Sequence, residues 1–557
     1  MVPCNKQQSI RHATTKLGGY MGQKKYFNIL IVGSENANLL GAKVGGLGDF
    51  VKDFSSKLLE QDCQVSVVIP SYGFLHQSPS SQFLGTITFQ FSGKNEEAQV
   101  FQVVGENSNQ VKQLVIHHPG LVSLDKNGRY EIYHHDLDSE PCQTDASRYA
   151  LFCIAVAQGI EQGIFGHLDC IHLNDWHSAC LLILRAYHPN YQTLQKIRTV
   201  YTINNLSYQG VRPFAGVASS LETWYPDLEY DPDKLADPRW SDHVNLMKAG
   251  IQLADAISTD SPSYAQEILC PTEAPRFYGG EGLEKELLVA FQQGRLFGIL
   301  LGCEYPDKRI IPKLNFSDLI SLLKAEIIQW QQTAKYLSPN CLLAHKRLTE
   351  LSYLSEKPPI ILTSVCRVVE QKLYLMKASG SKFISGLSGV LEGLGKQGIY
   401  ILLGTGETEY ERFLTEITSQ FDNFVFLNGF GSEDCAAALY ANGDFFLMPS
   451  SYEPCGISQM LAMRDGQPCL VHKVGGLKDT VIDGFNGFVF GGDSVEEQVD
   501  NLVLSCLKAI EVKLNNPSQW QEICQQAEKS RFLWKDTVSQ YITKLYEHQN
   551  VEKYIRS

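Results

Sequence analysis

Two lysine-glycine loops and one isolated carboxylate carry the chemical question. KVGGLGDF spans residues 43–50, and KVGGLKDT spans residues 473–480. A glycine pair lets the backbone approach a phosphate, and a helix opening just after it offers unpaired N–H groups. Lys43 would add a point charge. One such loop is an ordinary structural turn; the repetition points to an anionic ligand met from two sides. CRVVEQK (366–372) places Arg367 and Lys372 after an apolar run. Two cations there suit a diphosphate, or equally a solvated helix start. SYEPCG (451–456) holds Glu453 in a proline-stiffened loop. A carboxylate so held would bind sugar hydroxyls or stabilise positive charge, or would be a plain surface glutamate. HLNDWHSA (172–179) combines two histidines, an aspartate and a tryptophan. His172 and His177 are five apart and straddle a turn, whereas helical ligand pairs sit four apart, so no metal site is expected. Trp176 beside polar groups suits carbohydrate contact.

These residues need a scaffold that presents them from strand ends. YFNILIVGSE (26–35) reads as a buried parallel strand. The first glycine loop, an amphipathic stretch and the strand QVSVVIP (64–70) complete a βαβ unit. Apolar runs at 111–118, 169–173, 197–203 and 255–260 continue the series, with a helical pattern at 147–162. A second alternation starts at PPIILTSV (358–365) and runs through 399–407, 423–429, 444–450 and 467–476. The expected division is an extension 1–26, a Rossmann-like domain 27–302, a linker or insertion 303–345, a second Rossmann-like domain 346–532 and a returning helix 533–557. Both domains are α/β, doubly wound on parallel sheets. Ligands of such sheets bind beyond the carboxyl ends of the strands. Two of them face to face make a cleft into which both glycine loops look.

Bulk properties exclude other classes. The 557 residues are too many for one core. With 48 Lys and Arg against 61 Asp and Glu, the net charge of −13 argues against nucleic acid or an anionic membrane as partner. The 15 cysteines are scattered without CxxC spacing and read as reduced thiols of a cytoplasmic protein. No apolar leader and no membrane-length apolar run is seen. KVGGLGDF is not the GxGxxG of dinucleotide oxidoreductases, and no pyridoxal-lysine motif supports a phosphorylase.

Taken in order, the motifs resemble the bacterial glycogen synthase and plant starch synthase family. The residues that carry the resemblance are KVGGLGD (43–49), HLNDWH (172–177), YTINNLSYQG (201–210), NLMKAGI (245–251), CRVVEQK (366–372), LLGTGE (402–407), MPSSYEPCGISQ (448–459) and KVGGLKDTV (473–481), collinear across both halves. The resemblance implies a GT-B fold. It implies retaining, metal-independent and cofactor-free transfer of glucose from a nucleotide sugar to the non-reducing end of an α-1,4-glucan. ADP-glucose is the usual donor of this branch, with UDP-glucose the other option. Carried over, Arg367 and Lys372 would meet the diphosphate, and Lys43, Gly45 and Gly46 would close from the other domain. Glu453, Cys455 and Gly456 would lie at the glucose, with the backbone of Gly475, Gly476 and Leu477 nearby and Gly404 lining the donor site. Asp49, Asp175, Trp176 and Tyr208 would serve the sugar or acceptor.

The chain departs from the family pattern at the site. Asn204 stands in TINNL where the family has a histidine at the transferred sugar, and it cannot become cationic. Leu301 and Glu304 alter the hinge LLGCEYPD (300–307), and Leu373 replaces a glycine. Lost active-site stabilisation of this kind costs about 10²–10³ in rate. Three readings therefore stand: a glucan synthase, a transferase with another donor or acceptor, and a catalytically impaired glucan-binding protein. The sequence leaves oligomeric state and regulation open.

Overall fold

A computed structural model describes residues 27–105, 111–136, 142–306, 313–333 and 338–547. The expected extension 1–26 lies outside the described residues. Among the described residues, nine strands form the N-terminal sheet. In spatial order they are Leu296–Gly298, Ala256–Thr259, Arg198–Ile203, Cys170–Asn174, Asn28–Val32, Gln64–Pro70, Lys112–His117, Lys94–Val103 and Gln82–Phe91. The first seven run parallel; the last two form an antiparallel hairpin added at the edge. Its turn is Ser92–Gly93, both at positive φ, as a tight two-residue hairpin requires. The C-terminal sheet is wholly parallel, in the order Phe424–Asn428, Gly398–Gly404, Ile360–Val365, Phe445–Met448, Cys469–His472 and Gly487–Phe490.

Counted along the chain, the C-terminal order is 3-2-1-4-5-6, and the parallel part of the N-terminal sheet follows the same pattern. In each sheet the order reverses between its first and fourth parallel strands, and the crevice outside that point is the ligand position of such folds. In the N-terminal sheet these strands are Asn28–Val32 and Cys170–Asn174; in the C-terminal sheet they are Ile360–Val365 and Phe445–Met448.

The strands read as continuous apolar runs because both faces are covered. Alternation splits them between layers: Leu30 and Val32 enter one core, Ile29 and Ile31 the other. The stretch expected as a linker is divided differently by the structure. Helices Phe316–Thr333 and Pro339–Ser352 place Leu319, Leu323, Ile327 and Leu348 against Ile361, Ile399 and Val425, so they form one face of the C-terminal domain. Their apolar positions recur at helical spacing, and only the sheet shows what they cover. The helix Trp534–Tyr541 packs instead on the N-terminal domain: Trp534, Val538, Tyr541 and Leu545 join Phe50 and Phe54 in one core. Tyr541 lies 4.6 Å from Phe54 between ring centroids. The chain thus crosses between domains twice, which ties the two halves at their base.

Candidate active site

The first glycine loop hangs on a residue that motif reading passed over. Glu35 is buried, and its Oε2 accepts the backbone N–H groups of Val44 and Gly45, each at 2.7 Å. Its Oε1 accepts the Tyr133 hydroxyl at 2.7 Å. A buried carboxylate with three donors is satisfied, and here it folds the loop so that the helix Gly46–Leu59 opens toward the cleft. Lys43 is solvent-exposed and pairs with Asp49 in that helix's first turn at 2.7 Å. Glu35 lies three residues past the strand Asn28–Val32, and nothing local in the sequence marks its role.

On the adjacent strand, Asp175 follows Cys170–Asn174 with φ at +52°. Its Oδ1 accepts the backbone N–H of Asn204 at 2.8 Å and of Asn205 at 3.2 Å; its Oδ2 accepts Asn204 Nδ2 at 3.3 Å. Burial pushes the Asp175 carboxyl up to about 7 against these donors. Asn204 Nδ2 also reaches Asn174 Oδ1 at 3.3 Å. The next strand end carries Asp260, another residue missed from sequence. It is 5% exposed, and its Oδ1 has no hydrogen-bond partner among the described residues. Burial, then the charges of Asp175 and Glu453, push its carboxyl well above the usual range.

Trp176 corrects an expectation. It is 3% exposed, edge-on to Tyr149 and stacked on His177 at 4.2 Å. The indole is core and has no face for a sugar. Polar neighbours in sequence misled here because the turn sends Asp175 to the cleft and the next side chain inward. His172 is fully buried and His177 half-buried, and burial lowers each to about 3. Among the described residues no group of three His, Cys, Asp or Glu is placed to hold a metal ion. Tyr208 is 61% exposed at the cleft's rim.

In the C-terminal domain the strand Ile360–Val365 delivers Arg367, exposed and without an ion pair among the described residues, and Lys372 on the helix Glu370–Lys377. The Lys372 ammonium donates to Glu453 Oε2, which Ser450 Oγ also reaches at 2.9 Å. Glu453 is buried, so the lysine neutralises a charge taken out of water. Gly404 closes the neighbouring strand; a Cβ there would strike the Cys366 carbonyl. Gly456 sits at φ +76° and turns the chain after the buried Cys455. Leu477 is buried, so only its backbone is near the cleft. The amides expected to meet the donor are already engaged. Gly475 N–H donates to both oxygens of Glu267 at 2.9 Å, Gly476 N–H to the Glu453 carbonyl at 3.0 Å, and Leu477 N–H to the Val474 carbonyl at 3.1 Å. Phe430, also missed, stands 86% exposed just past the strand Phe424–Asn428, where Gly429 N–H meets the Gly404 carbonyl at 3.3 Å.

The two halves of the site meet. Ser207 Oγ donates to the Tyr452 hydroxyl at 3.0 Å, which joins the loop after Asn204 to the loop of Glu453. Ser263 donates from its backbone and side chain to Asp479 at 2.8 and 2.7 Å. Beside this seam lies a cavity of about 760 Å³ lined by Arg276 and Phe277 from one domain and Lys473, Lys478 and Gly492 from the other. Neither Lys372 nor Glu453 lines it. The arrangement sets cations, a paired carboxylate and a polar strand-end cluster across one cleft.

Comparison with known proteins agrees with this architecture. Residues 28–288 match the starch synthase catalytic domain, and residues 387–508 match the group 1 glycosyl transferases. A glycogen synthase from Streptococcus equi subsp. equi (strain 4047) is 30% identical over 93% of this chain and 99% of its own length. One from Clostridioides difficile (strain 630) is 30% identical over 90% of this chain and 96% of its own. Among solved structures, the catalytic domain of starch synthase IV from Arabidopsis thaliana, bound to ADP and acarbose, superposes with a TM-score of 0.69 at 24% identity, covering 94% of this chain and 99% of that one.

Proposed function

This chain belongs to the glycogen synthase and starch synthase family of glycosyltransferases, and from that premise we propose that it extends an α-1,4-glucan with glucose from ADP-glucose. The observation that carries the reading is the convergence at both topological switch points. Lys372, Arg367 and Glu453 stand at one, Asp175 and Asn204 near the other, and Ser207 bonded to Tyr452 closes the seam.

In the transfer, the bond from C1 of glucose to the diphosphate oxygen breaks, and a bond from C1 to the acceptor's 4-oxygen forms. The acceptor hydroxyl proton leaves with the nucleoside diphosphate. Arg367 and Lys372 take the negative charge that grows on that diphosphate, the role a metal would otherwise fill. The exposed Phe430 offers its ring face to the base. Glu453 and the Asp175–Asn204 pair hold sugar hydroxyls, and the configuration at C1 is retained. Domain contact excludes water, so transfer to the glucan outruns hydrolysis. Lys43 and Asp49 close from the rim. The cysteines, unbonded among the described residues, fit the reducing cytoplasm in which nucleotide sugars are used.

The test is a turnover assay of purified protein with glycogen and either ADP-glucose or UDP-glucose, following nucleoside diphosphate release and chain lengthening together. Lengthening with ADP-glucose that Glu453→Ala abolishes supports the reading. Lengthening with UDP-glucose alone corrects the donor. Diphosphate release without lengthening, or no turnover with either donor, sinks it.

A further inference from the structure

Of the six tryptophans, Trp176, Trp224, Trp520 and Trp534 are buried, and Trp330 is half-buried behind Gly429. Trp240 is 51% exposed. Single exposed apolar residues are ordinary, so exposure alone decides nothing. What sets Trp240 apart is the frame behind it. The Arg239 guanidinium lies 4.8 Å from the indole centroid. Arg239 is clamped in turn: its Nε and Nη2 donate to Asp237 at 3.1 and 2.9 Å, and its Nη2 donates to Gln209 Oε1 at 2.8 Å. The Asp237 side chain is fully buried and also accepts Asn245 Nδ2 at 2.7 Å and the backbone N–H of Trp240 at 3.3 Å. Such a frame holds the ring in one place, which lowers the ordering cost of anything that stacks on it.

The frame continues into the cleft. Gln209 adjoins the exposed Tyr208, and Ser207 donates to the Tyr452 hydroxyl, whose ring lies 4.9 Å from Tyr278. Tyr452 precedes Glu453. Fixed contacts thus run from the surface indole to the site carboxylate.

We propose that Trp240, with Tyr208, forms an outer subsite for the α-glucan acceptor, holding sugars of the chain beyond those inside the cleft. The proposal rests on the reading that this protein acts on an α-glucan. A glucose ring presents a C–H face and a rim of hydroxyls. The indole takes the face, and the guanidinium N–H groups beside it take hydroxyls. Two separated rings set among polar groups suit such a chain better than a protein partner, which needs a contiguous apolar patch. A long acceptor bound inside and outside the cleft gains from both sites, and a short one gains nothing from the outer one.

The experiment pairs two readouts. In native electrophoresis through gels containing glycogen, Trp240→Ala weakens retardation about five- to tenfold in apparent affinity, and Trp240→Phe restores part of it. In turnover, Trp240→Ala raises KM for glycogen by about the same factor, leaves kcat within about twofold, and leaves KM for maltotriose and for ADP-glucose unchanged. Retardation needs no donor and no turnover, so the arms separate the two claims. A chain without turnover whose retardation still depends on Trp240 keeps the subsite and loses the synthase reading. Active protein in which Trp240→Ala migrates and turns over like the parent loses the subsite. Melting temperatures of both variants within a degree or so of the parent show that the exposed substitution leaves the fold alone.

Discussion

Asn204 holds Asp175 by two hydrogen bonds, the backbone N–H to Oδ1 at 2.8 Å and the side-chain Nδ2 to Oδ2 at 3.3 Å. Asn204 is therefore built into the support of the neighbouring carboxylate. These donors favour the ionised form, against a burial that pushes the group up to about 7. Ionisation of Asp175 then sets an acid limb near neutral pH. Asn204→Ala removes one donor and moves that limb of kcat/KM to higher pH. Asn204→His moves it to lower pH, because a cationic imidazole beside the carboxylate favours its charge. The check is a pH–rate profile of the three proteins from about pH 5 to 9. Superimposable profiles would remove Asp175 and Asn204 from the working site.

Lys372 on Glu453 predicts a separable pair of effects. Both side chains are largely buried, so Lys372→Ala strands a carboxylate and costs roughly 3–5 kcal/mol of stability. Glu453→Gln in the same chain removes the stranded charge and recovers much of that loss. Activity does not return, because the diphosphate has lost its lysine. Denaturant unfolding and turnover measured on the two singles and the double separate the two roles. Recovery of activity along with stability would make the pair purely structural.

Much of the site was legible because parallel strands read as apolar runs and chemistry collects at their ends. Glu453, Lys372, Arg367 and Asp175 all lie just past such runs. Glu35, Asp260 and Trp240 were not legible, because what distinguishes each is a partner far along the chain or the lack of one. Glu35 depends on Tyr133, and Trp240 on Arg239, which is held between the buried Asp237 and Gln209. Trp176 was misread for the same reason: its polar neighbours in sequence are not its neighbours in space. The helices after residue 313 carried a helical pattern, but nothing local told which sheet they cover.

Glu267 reaches across the seam to the Gly475 N–H, and this contact titrates. Burial chiefly pushes its carboxyl up to about 7 from an ordinary 4.5. Between those values the folded protein binds a proton that the unfolded chain does not, so its contribution to stability falls as pH rises through that window. The span amounts to about 3 kcal/mol. Glu267→Gln removes this component, so its melting temperature falls less between pH 5 and pH 7.5 than the parent's. The variant also lowers KM for the donor, since a carboxylate no longer holds the Gly475 amide. Calorimetry across the pH range and donor saturation curves test both. Equal pH slopes with equal KM would show the contact to be idle.

The C-terminal segment docks through a polar contact inside an apolar core. His172 Nδ1 pairs with the Tyr546 hydroxyl at 2.7 Å, while its Nε2 pairs with Thr202 Oγ1 at 2.6 Å. Burial lowers the imidazole to about 3, so it stays neutral, and each nitrogen needs its partner. Tyr546→Phe keeps the ring's packing but leaves Nδ1 unsatisfied, at a cost of about 1–3 kcal/mol. Tyr353, 82% exposed, supplies the control: Tyr353→Phe changes stability by less than about 0.5 kcal/mol. Denaturant midpoints of the two variants decide the matter. A loss confined to Tyr546→Phe means the hydroxyl fixes where the returning segment seats. Equal midpoints mean that Trp534, Val538 and Tyr541 hold it by apolar area alone.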